Sequence, residues 1–333
     1  MLIPDRWYAV LESREIAQGK PLGVRRLGRD LVFWRDGEGR LVVFEDRCPH
    51  RSSQLSLGRI VGGRLQCPFH GFEFDRAGAC QLIPANGQAA RVPKVFQCHD
   101  HPVTEAHGFA WLWYGHPRDE YPPVPWFDDL DGLTYATTSK EWDVDLTRAI
   151  EGLLDVSHLP FVHARTIGRG GRTLVNGPYT TLEDDTIRVW PSNQPDEGLP
   201  ALRPTEIPPP DGPAMLEFRF PNLWVLKIAK TFQIVNVIAP IEEGRCLIYL
   251  RTYLRIGGPA FLSRLVGFVS NLYNRRILAE DYTVIRSQRP KVSSLEIGEH
   301  FIPADRPIAI YLQRRRDLIE ATAEPSTSTD LSG

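Results

Sequence analysis

Two short loops constrain this chain more than any other feature. The first carries Cys48-Pro-His50 and the second, sixteen residues past His50, carries Cys67-Pro-Phe-His70. Each loop therefore offers one thiol and one imidazole. Both interrupt strand-like sequence. "DLVFW", the turn "RDGEG" and "RLVVFED" read as a hairpin that runs into Cys48. "GFEFD", "RAGA" and "CQLIP" read as another that starts after His70, and "GFAWLWYG" is a third strand-like run between Gly108 and Gly115. The first part of the chain is thus all-β, with both Cys-His pairs at hairpin tips.

Soft thiolates and imidazoles in short loops suit a metal. A Cys2His2 zinc site uses such donors, but common zinc spacings put both cysteines in one knuckle and both histidines in another. Here each knuckle is mixed. A Rieske [2Fe-2S] cluster needs two Cys on one iron and two His on the other, and mixed knuckles allow that split. Pro49 and Pro68 stiffen the loops, while Gly71 permits a tight turn after His70. The pattern resembles the Rieske motif. The resemblance implies that Cys48 and Cys67 ligate a buried iron and that His50 and His70 ligate the outer one. Cys80, Cys98 and Cys246 read as small buried thiols. His99, His101, His107 and His116 have no Cys or carboxylate at ligand spacing and read as ordinary strand and loop residues.

Length and composition bound the rest. A chain of 333 residues is long enough for two domains, and 42% apolar with 24% charged residues is globular. A net charge of -2 gives no reason to expect nucleic acid or an anionic membrane as partner. The opening "MLIPDRWYAVLES" lacks the marks of a leader, and the apolar run "NLWVLKIAKTFQIVNVIAPI" is broken by Lys227, Lys230, Gln233 and Asn236, so no membrane span is expected. Five cysteines, an odd number, point to the cytosol rather than to a disulfide framework.

Four segments follow: a domain over 1–115, a Pro- and Asp-rich crossing over 116–140, a second domain over 141–322 and a disordered tail over 323–333. The second domain reads as α+β. It has a helical stretch, "DLTRAIEGLLDVSH", then a polar Gly/Pro-rich region to about residue 213. Strands follow at "AMLEFRF", "LWVLKIAKTFQIVNVIAP" and "RCLIYLRTYLRI", and a long helix runs from Phe261 to Gln288.

That domain holds a second candidate metal site. Glu151, Asp155 and His158 are spaced i, i+4, i+7 and would share one helix face. Pro160 disfavours helix at Leu159, which lets the chain turn and return His163 toward His158. Two histidines and a carboxylate suit a facial-triad Fe(II) site. The carboxylate must come from downstream, where "NRRILAEDYTVIRSQRP" offers Glu280 and Asp281. On a helix Asp281 stacks with Ile277, Leu278, Val284 and Ile285, whereas Glu280 shares a mixed face with Arg276 and Thr283. A carboxylate on a packed face needs a partner, which a metal supplies. Asp281 is the preferred ligand.

With these motifs the chain resembles the Rieske non-heme iron oxygenases over nearly its whole length. The resemblance implies an N-terminal Rieske domain and a catalytic domain of helix-grip type. It implies a [2Fe-2S] cluster and a mononuclear Fe(II) held by His158, His163 and Asp281. Asp155 would bridge His158 to the partner subunit's His70 within a homotrimer, and Glu151 would lie behind it. Many members carry Asn where this chain has Gly152, so that contribution is absent here or supplied from elsewhere. The implied activity is that of a terminal oxygenase that takes O2 and electrons from a separate ferredoxin or flavin reductase. It would hydroxylate or demethylate a small apolar or aromatic substrate; ring cis-dihydroxylation and a pure electron carrier are the alternatives. A pocket is expected from the 170–260 region. Phe218, Phe220, Trp224 and Phe232 read as core by default, and "ALRPTEIPPPDG" as a lid or a surface excursion.

Overall fold

The structure is a computed structural model that describes residues 1–168, 173–255, 257 and 260–323. The tail beyond 323, expected to be disordered, lies outside the described residues. The chain divides into two compact units. One comprises Arg6–Val124 with the short segment Ala239–Glu243, the end of a strand that begins in the other unit; that other unit comprises Met1–Asp5, Pro125–Ile238 and the chain from Gly244 onward.

The first unit is built of ten strands: β1 (Arg6–Glu12), β2 (Leu22–Arg26), β3 (Arg29–Arg35), β4 (Leu41–Glu45), β5 (Arg59–Val61), β6 (Arg64–Gln66), β7 (Glu73–Phe74), β8 (Cys80–Leu82), β9 (Val103–Ala106) and β10 (Phe109–Tyr114). They form three antiparallel sheets, ordered β1-β10-β9, β2-β3-β4 and β5-β6-β7-β8. Alternation decides which residues meet. On β3 and β4, Val32 faces Phe44 and Trp34 faces Val42. These four side chains are buried in one cluster with Leu55, Leu65, Phe72 and Phe74. Cys48, Cys67, Cys80 and Cys98 belong to that cluster. Inside this unit the N–H groups of Leu27 and Gly28 bond to the carbonyls of Pro240 and Ile241, at 2.9 and 2.8 Å.

The second unit holds β11 (Thr134–Trp142), α1 (Leu146–Leu154), α2 (Leu159–Val162), β12 (Thr173–Glu183), β13 (Thr186–Pro195), β14 (Leu216–Arg219), β15 (Leu223–Ala229), β16 (Phe232–Glu242), β17 (Arg245–Leu254), α3 (Ala260–Ile285) and α4 (Arg306–Ala323). One seven-stranded sheet, ordered β11-β17-β16-β15-β14-β13-β12, carries the helices. Two expectations change here. The polar region before residue 213 contains the long hairpin of β12 and β13, in which Tyr179 faces Trp190 and Thr180 faces Val189. Its buried faces are diluted by polar and Pro residues, which hid the alternation. The stretch 116–140 is not all connection either, since Thr134 onward is already β11, paired along its length with β17. Among the described residues no helix is long and apolar enough to cross a membrane.

Asp145 starts α1 by accepting the Thr147 N–H at 2.9 Å. The helix stops at Leu154, earlier than the spacing of Glu151, Asp155 and His158 predicts. Asp155 is extended (φ -67°, ψ 127°), and its Oδ1 accepts the N–H groups of Ser157 and His158 at 2.6 and 3.2 Å. This local Asx turn competes successfully with another helical turn. Asp155 and His158 are therefore neighbours across a turn and do not share a helix face. Pro160 also acts differently from expectation: it sits in the first turn of the short α2, where no N–H is needed.

Candidate metal centres

In the first unit, both knuckles are closed by their own backbones. Cys48 N–H bonds to Ser53 carbonyl at 2.8 Å and Ser52 N–H to Cys48 carbonyl at 2.9 Å. Cys67 repeats the scheme with Phe72 and Gly71, at 2.8 and 3.1 Å. Gly71 takes φ +73°, and a Cβ there would lie 3.1 Å from Pro84 Cγ, so a side chain would be both strained and crowded. The Cys48 and Cys67 thiols are close enough that Cys67 disfavours the Cys48 thiolate. Burial pushes the Cys48 thiol up to about 11, although the N–H groups of His50 and Arg51 point at its sulfur and favour the thiolate. The His50 and His70 rings lie 4.7 Å apart, and His50 stacks on Phe72 at 4.6 Å and 6°. His50 Nδ1 is buried without a partner, and His70 lies at the exposed edge.

Two adjacent buried thiols, two adjacent imidazoles and one orphaned ring nitrogen are a donor set that a [2Fe-2S] cluster fits. The other cysteines lie apart from this use. Cys98 and Cys246 are fully buried thiols held protonated by burial.

In the second unit, α2 returns His163 to His158, with ring centroids 5.1 Å apart. Asp281 of α3 meets both. Its Oδ1 lies 2.9 Å from His163 Nε2 and 3.6 Å from His158 Nε2. Donors on adjacent positions of a small divalent ion, with bonds of about 2.1 Å, sit about 3 Å apart, so this trio fits one metal. Each histidine also turns Nδ1 to a second carboxylate. His158 Nδ1 is 3.7 Å from Asp155 Oδ2 and has no hydrogen bond, while His163 Nδ1 is 2.9 Å from Glu280 Oε2. The Glu280 contact fixes the His163 ring, and in both histidines Nε2 is left for the metal.

The carboxyl groups are tuned by these contacts. Burial alone would raise Asp155, but His158 and the hydrogen bonds from Ser157 hold it below the usual range. Glu280 is lowered in the same way by His163 and by the Thr166 hydroxyl, which donates at 2.7 Å. Burial opposes charge on His163, yet Asp281 and Glu280 outweigh it and keep its imidazole above its ordinary value.

Sequence reasoning weighed Glu280 only as a rival ligand. Its carboxylate instead holds the far side of His163, a partnership across 117 residues that no local pattern announces. The predicted helix face of Asp281 is partly right: Leu278 is buried, but Val284 is 48% exposed. Glu151 belongs to a buried network. Arg148, 2% exposed, donates to Glu151 Oε2 at 2.9 Å and bidentately to Glu299 at 2.6 and 3.1 Å. The Ser293 hydroxyl donates to Glu151 Oε1. Burial nevertheless keeps Glu151 above the usual carboxylate range. The histidine group near residue 100 also differs from its reading, because β4 brings Glu45 within 4.8 Å of the ring nitrogens of His99 and His101.

Two cavities, each of about 380 Å³, adjoin the trio and share Gly152, Asp155, His158 and Asp281 on their walls. One is polar, bordered by Arg148, Glu151, Glu299 and Asp305. The other is largely apolar and lies between the sheet and α3. Trp224 lines it, whereas Phe218 and Phe220 pack against Tyr311 in the core. The segment 201–212 is mostly exposed, with one 3-10 turn at Pro204–Glu206.

A cluster-type donor set in a β unit, with a two-histidine, one-carboxylate set in a sheet-and-helix unit, defines the class of Rieske oxygenases. The Rieske [2Fe-2S] domain family matches residues 6–99, and the vanillate O-demethylase oxygenase C-terminal domain family matches 142–321. The chain belongs to the Rieske non-heme iron oxygenases, in the branch with a catalytic domain of vanillate O-demethylase type. The cofactors of this family are the [2Fe-2S] cluster and a mononuclear iron.

Among relatives, the chain is 34% identical over 165 residues to Protein TIC 55, chloroplastic, of Arabidopsis thaliana, covering 49% of this chain and 31% of that protein. It is 29% identical over 351 residues to methylxanthine N1-demethylase NdmA of Pseudomonas putida, covering 96% and 90%. The solved structure of NdmA from Pseudomonas putida CBB5 superposes with a TM-score of 0.76 at 24% identity, over 97% of this chain and 92% of that one, which shows a common fold. The chain spans 31%, 30% and 46% of the length of three curated relatives that it matches.

Proposed function

We propose that this chain is the terminal oxygenase component of a multi-component system. It hydroxylates or oxidatively demethylates a small, mainly apolar substrate with O2 and electrons from a separate reductase or ferredoxin. The observation that carries this reading is the His158, His163 and Asp281 trio on the wall of an apolar cavity of about 380 Å³. Similarity to a methylxanthine N1-demethylase over 96% of the chain supports demethylation in particular.

In this reading Cys48, His50, Cys67 and His70 hold the cluster, and His158, His163 and Asp281 hold the mononuclear iron. The bound iron centres supply electron transfer and O2 activation. The protein supplies position. Glu280 holds the His163 ring through Nδ1 and is itself held by Thr166. Asp155 has one oxygen occupied by Ser157, and its other oxygen faces His158 Nδ1. Its carboxylate, 28% exposed, is free on one edge to accept a second imidazole. That edge is where the partner subunit's His70 would bind, in a homotrimer whose cluster in one subunit serves the iron of the next. The apolar cavity excludes water and orients the substrate beside the trio.

The test is iron and sulfide analysis of anaerobically purified protein, followed by O2 uptake with a reductase. The expected result is cluster iron and sulfide together with one further iron, which His158→Ala removes along with O2 uptake. Cluster iron alone would make the chain an electron carrier. Zinc without sulfide would end the oxygenase reading.

A further inference from the structure

We propose that the cavity beside His158 and Asp281 selects a neutral substrate that is apolar over most of its surface and presents a hydrogen-bond donor to Asn236. This rests on the oxygenase reading and specifies its substrate class. Strand alternation builds the wall: Trp224 and Leu226 project from β15, Ile234 and Asn236 from β16, and α3 closes it with Ile277 and Leu278.

Among the described residues that line this cavity there is no Lys or Arg. The ionisable groups are those of the metal trio and Asp155. A carboxylate or sulfonate on the substrate would lose its water with no Lys or Arg among the described wall residues to replace it, and the carboxylates of Asp281 and Asp155 offset the charge of a divalent iron held there, so its entry is unfavourable. The polar groups of the wall are mostly engaged elsewhere. Trp224 Nε1 donates to Leu153 carbonyl at 2.8 Å, Asn193 Nδ2 to Val156 carbonyl at 3.2 Å, and Asn274 Nδ2 to Thr252 Oγ1 at 3.0 Å.

Apart from His158 Nδ1, which faces Asp155, Asn236 is the exception. It is 2% exposed, and its Oδ1 is buried with no hydrogen-bond partner. It faces Trp224 across the β15–β16 ladder. A buried amide oxygen with nothing to accept from is costly, and an N–H or O–H on the ligand removes that cost. A cavity built to satisfy such a group rejects analogues that lack the donor. Substrate entry is thus coupled to one donor at a fixed depth, with the rest of the molecule sorted by apolar fit.

The experiment is calorimetric titration of the iron-loaded protein under argon with indole, 1-methylindole and indole-5-sulfonate. The first offers a donor, the second has it capped, and the third keeps the donor but adds an anion. Indole should bind about tenfold tighter than 1-methylindole, as expected for one buried hydrogen bond, and the sulfonate should bind worst. In Asn236→Leu the two neutral probes should come within about twofold of each other, with 1-methylindole binding retained as evidence of an intact cavity. The wild-type series alone carries the test should that variant not fold. The proposal is overturned if the sulfonate matches indole, if the variant keeps the wild-type ratio, or if neither indole binds iron-replete protein. Iron content and O2 uptake report separately on the oxygenase reading, so each can fail without the other.

Discussion

The two donor sets solve opposite problems. The cluster donors lie between Cys48 and His70, in two knuckles that close on their own backbones and sit in an apolar cluster. Of the mononuclear donors, His158 and His163 flank the single turn of α2, but Asp281 comes from the far end of α3, so no local structure holds all three together. Behind them stand carboxylates, Glu280 bonded to His163 and Asp155 facing His158, with a buried ionic network on the neighbouring α1. A site that only passes electrons can be walled in by its loops. A site that must admit a substrate needs open walls, and its rigidity has to come from polar partners behind the ligands.

This contrast can be broken most directly by Cys67→Ala. That substitution should remove cluster iron and sulfide entirely while the mononuclear iron remains, as read by metal and sulfide analysis. Loss of both metals would show that the two sets are not independent. Asp281→Ala should do the reverse, emptying the mononuclear site with the reduced cluster's EPR signal unchanged. Arg148→Met should strand Glu151 and Glu299 and cost about 3–5 kcal/mol in urea unfolding, because it leaves buried charge unpaired. An effect as small as that of a surface pair would mean that the network is not what stiffens α1.

Glu280→Gln should be milder than loss of a ligand, lowering iron affinity about 10–100-fold with the fold intact, measured by competition with a chelator. The smallest effect concerns pH and the first unit. Burial, with Arg29 and His99 nearby, lowers His101 from 6.5 to about 4, and Glu45 lies 4.0 Å away. The unfolded chain therefore binds a proton that the folded chain refuses between those values. Stability present above pH 6.5 should decline toward pH 4. His101→Gln should flatten that limb in urea midpoints taken across the range.

The sequence made the first site legible because its donors and its turn-forming residues, Pro49, Pro68 and Gly71, are neighbours in the chain. Asp281 could be singled out by helix geometry, since its neighbours at i-4 and i-3 are apolar. What escaped was long-range or conformational. The Asx turn at Asp155 ended α1 early, and i, i+4, i+7 spacing cannot foresee a side chain that captures its own backbone. Glu280 and Glu299 find partners more than a hundred residues away. Asn236 reads as one more interruption in a strand until the sheet shows which way it points. The β12–β13 hairpin was hidden by its polar and Pro content.

Gly152 of α1 borders both cavities and faces Ile285 of α3. A Cβ at that position would lie 2.3 Å from Ile285 Cδ1 and 3.2 Å from its Cγ1. The end of an isoleucine can swing aside for a methyl group, and a longer side chain would need more of Ile285 to move. Bulk at residue 152 is therefore set against bulk at residue 285: a side chain at the first position needs the isoleucine at the second to give way.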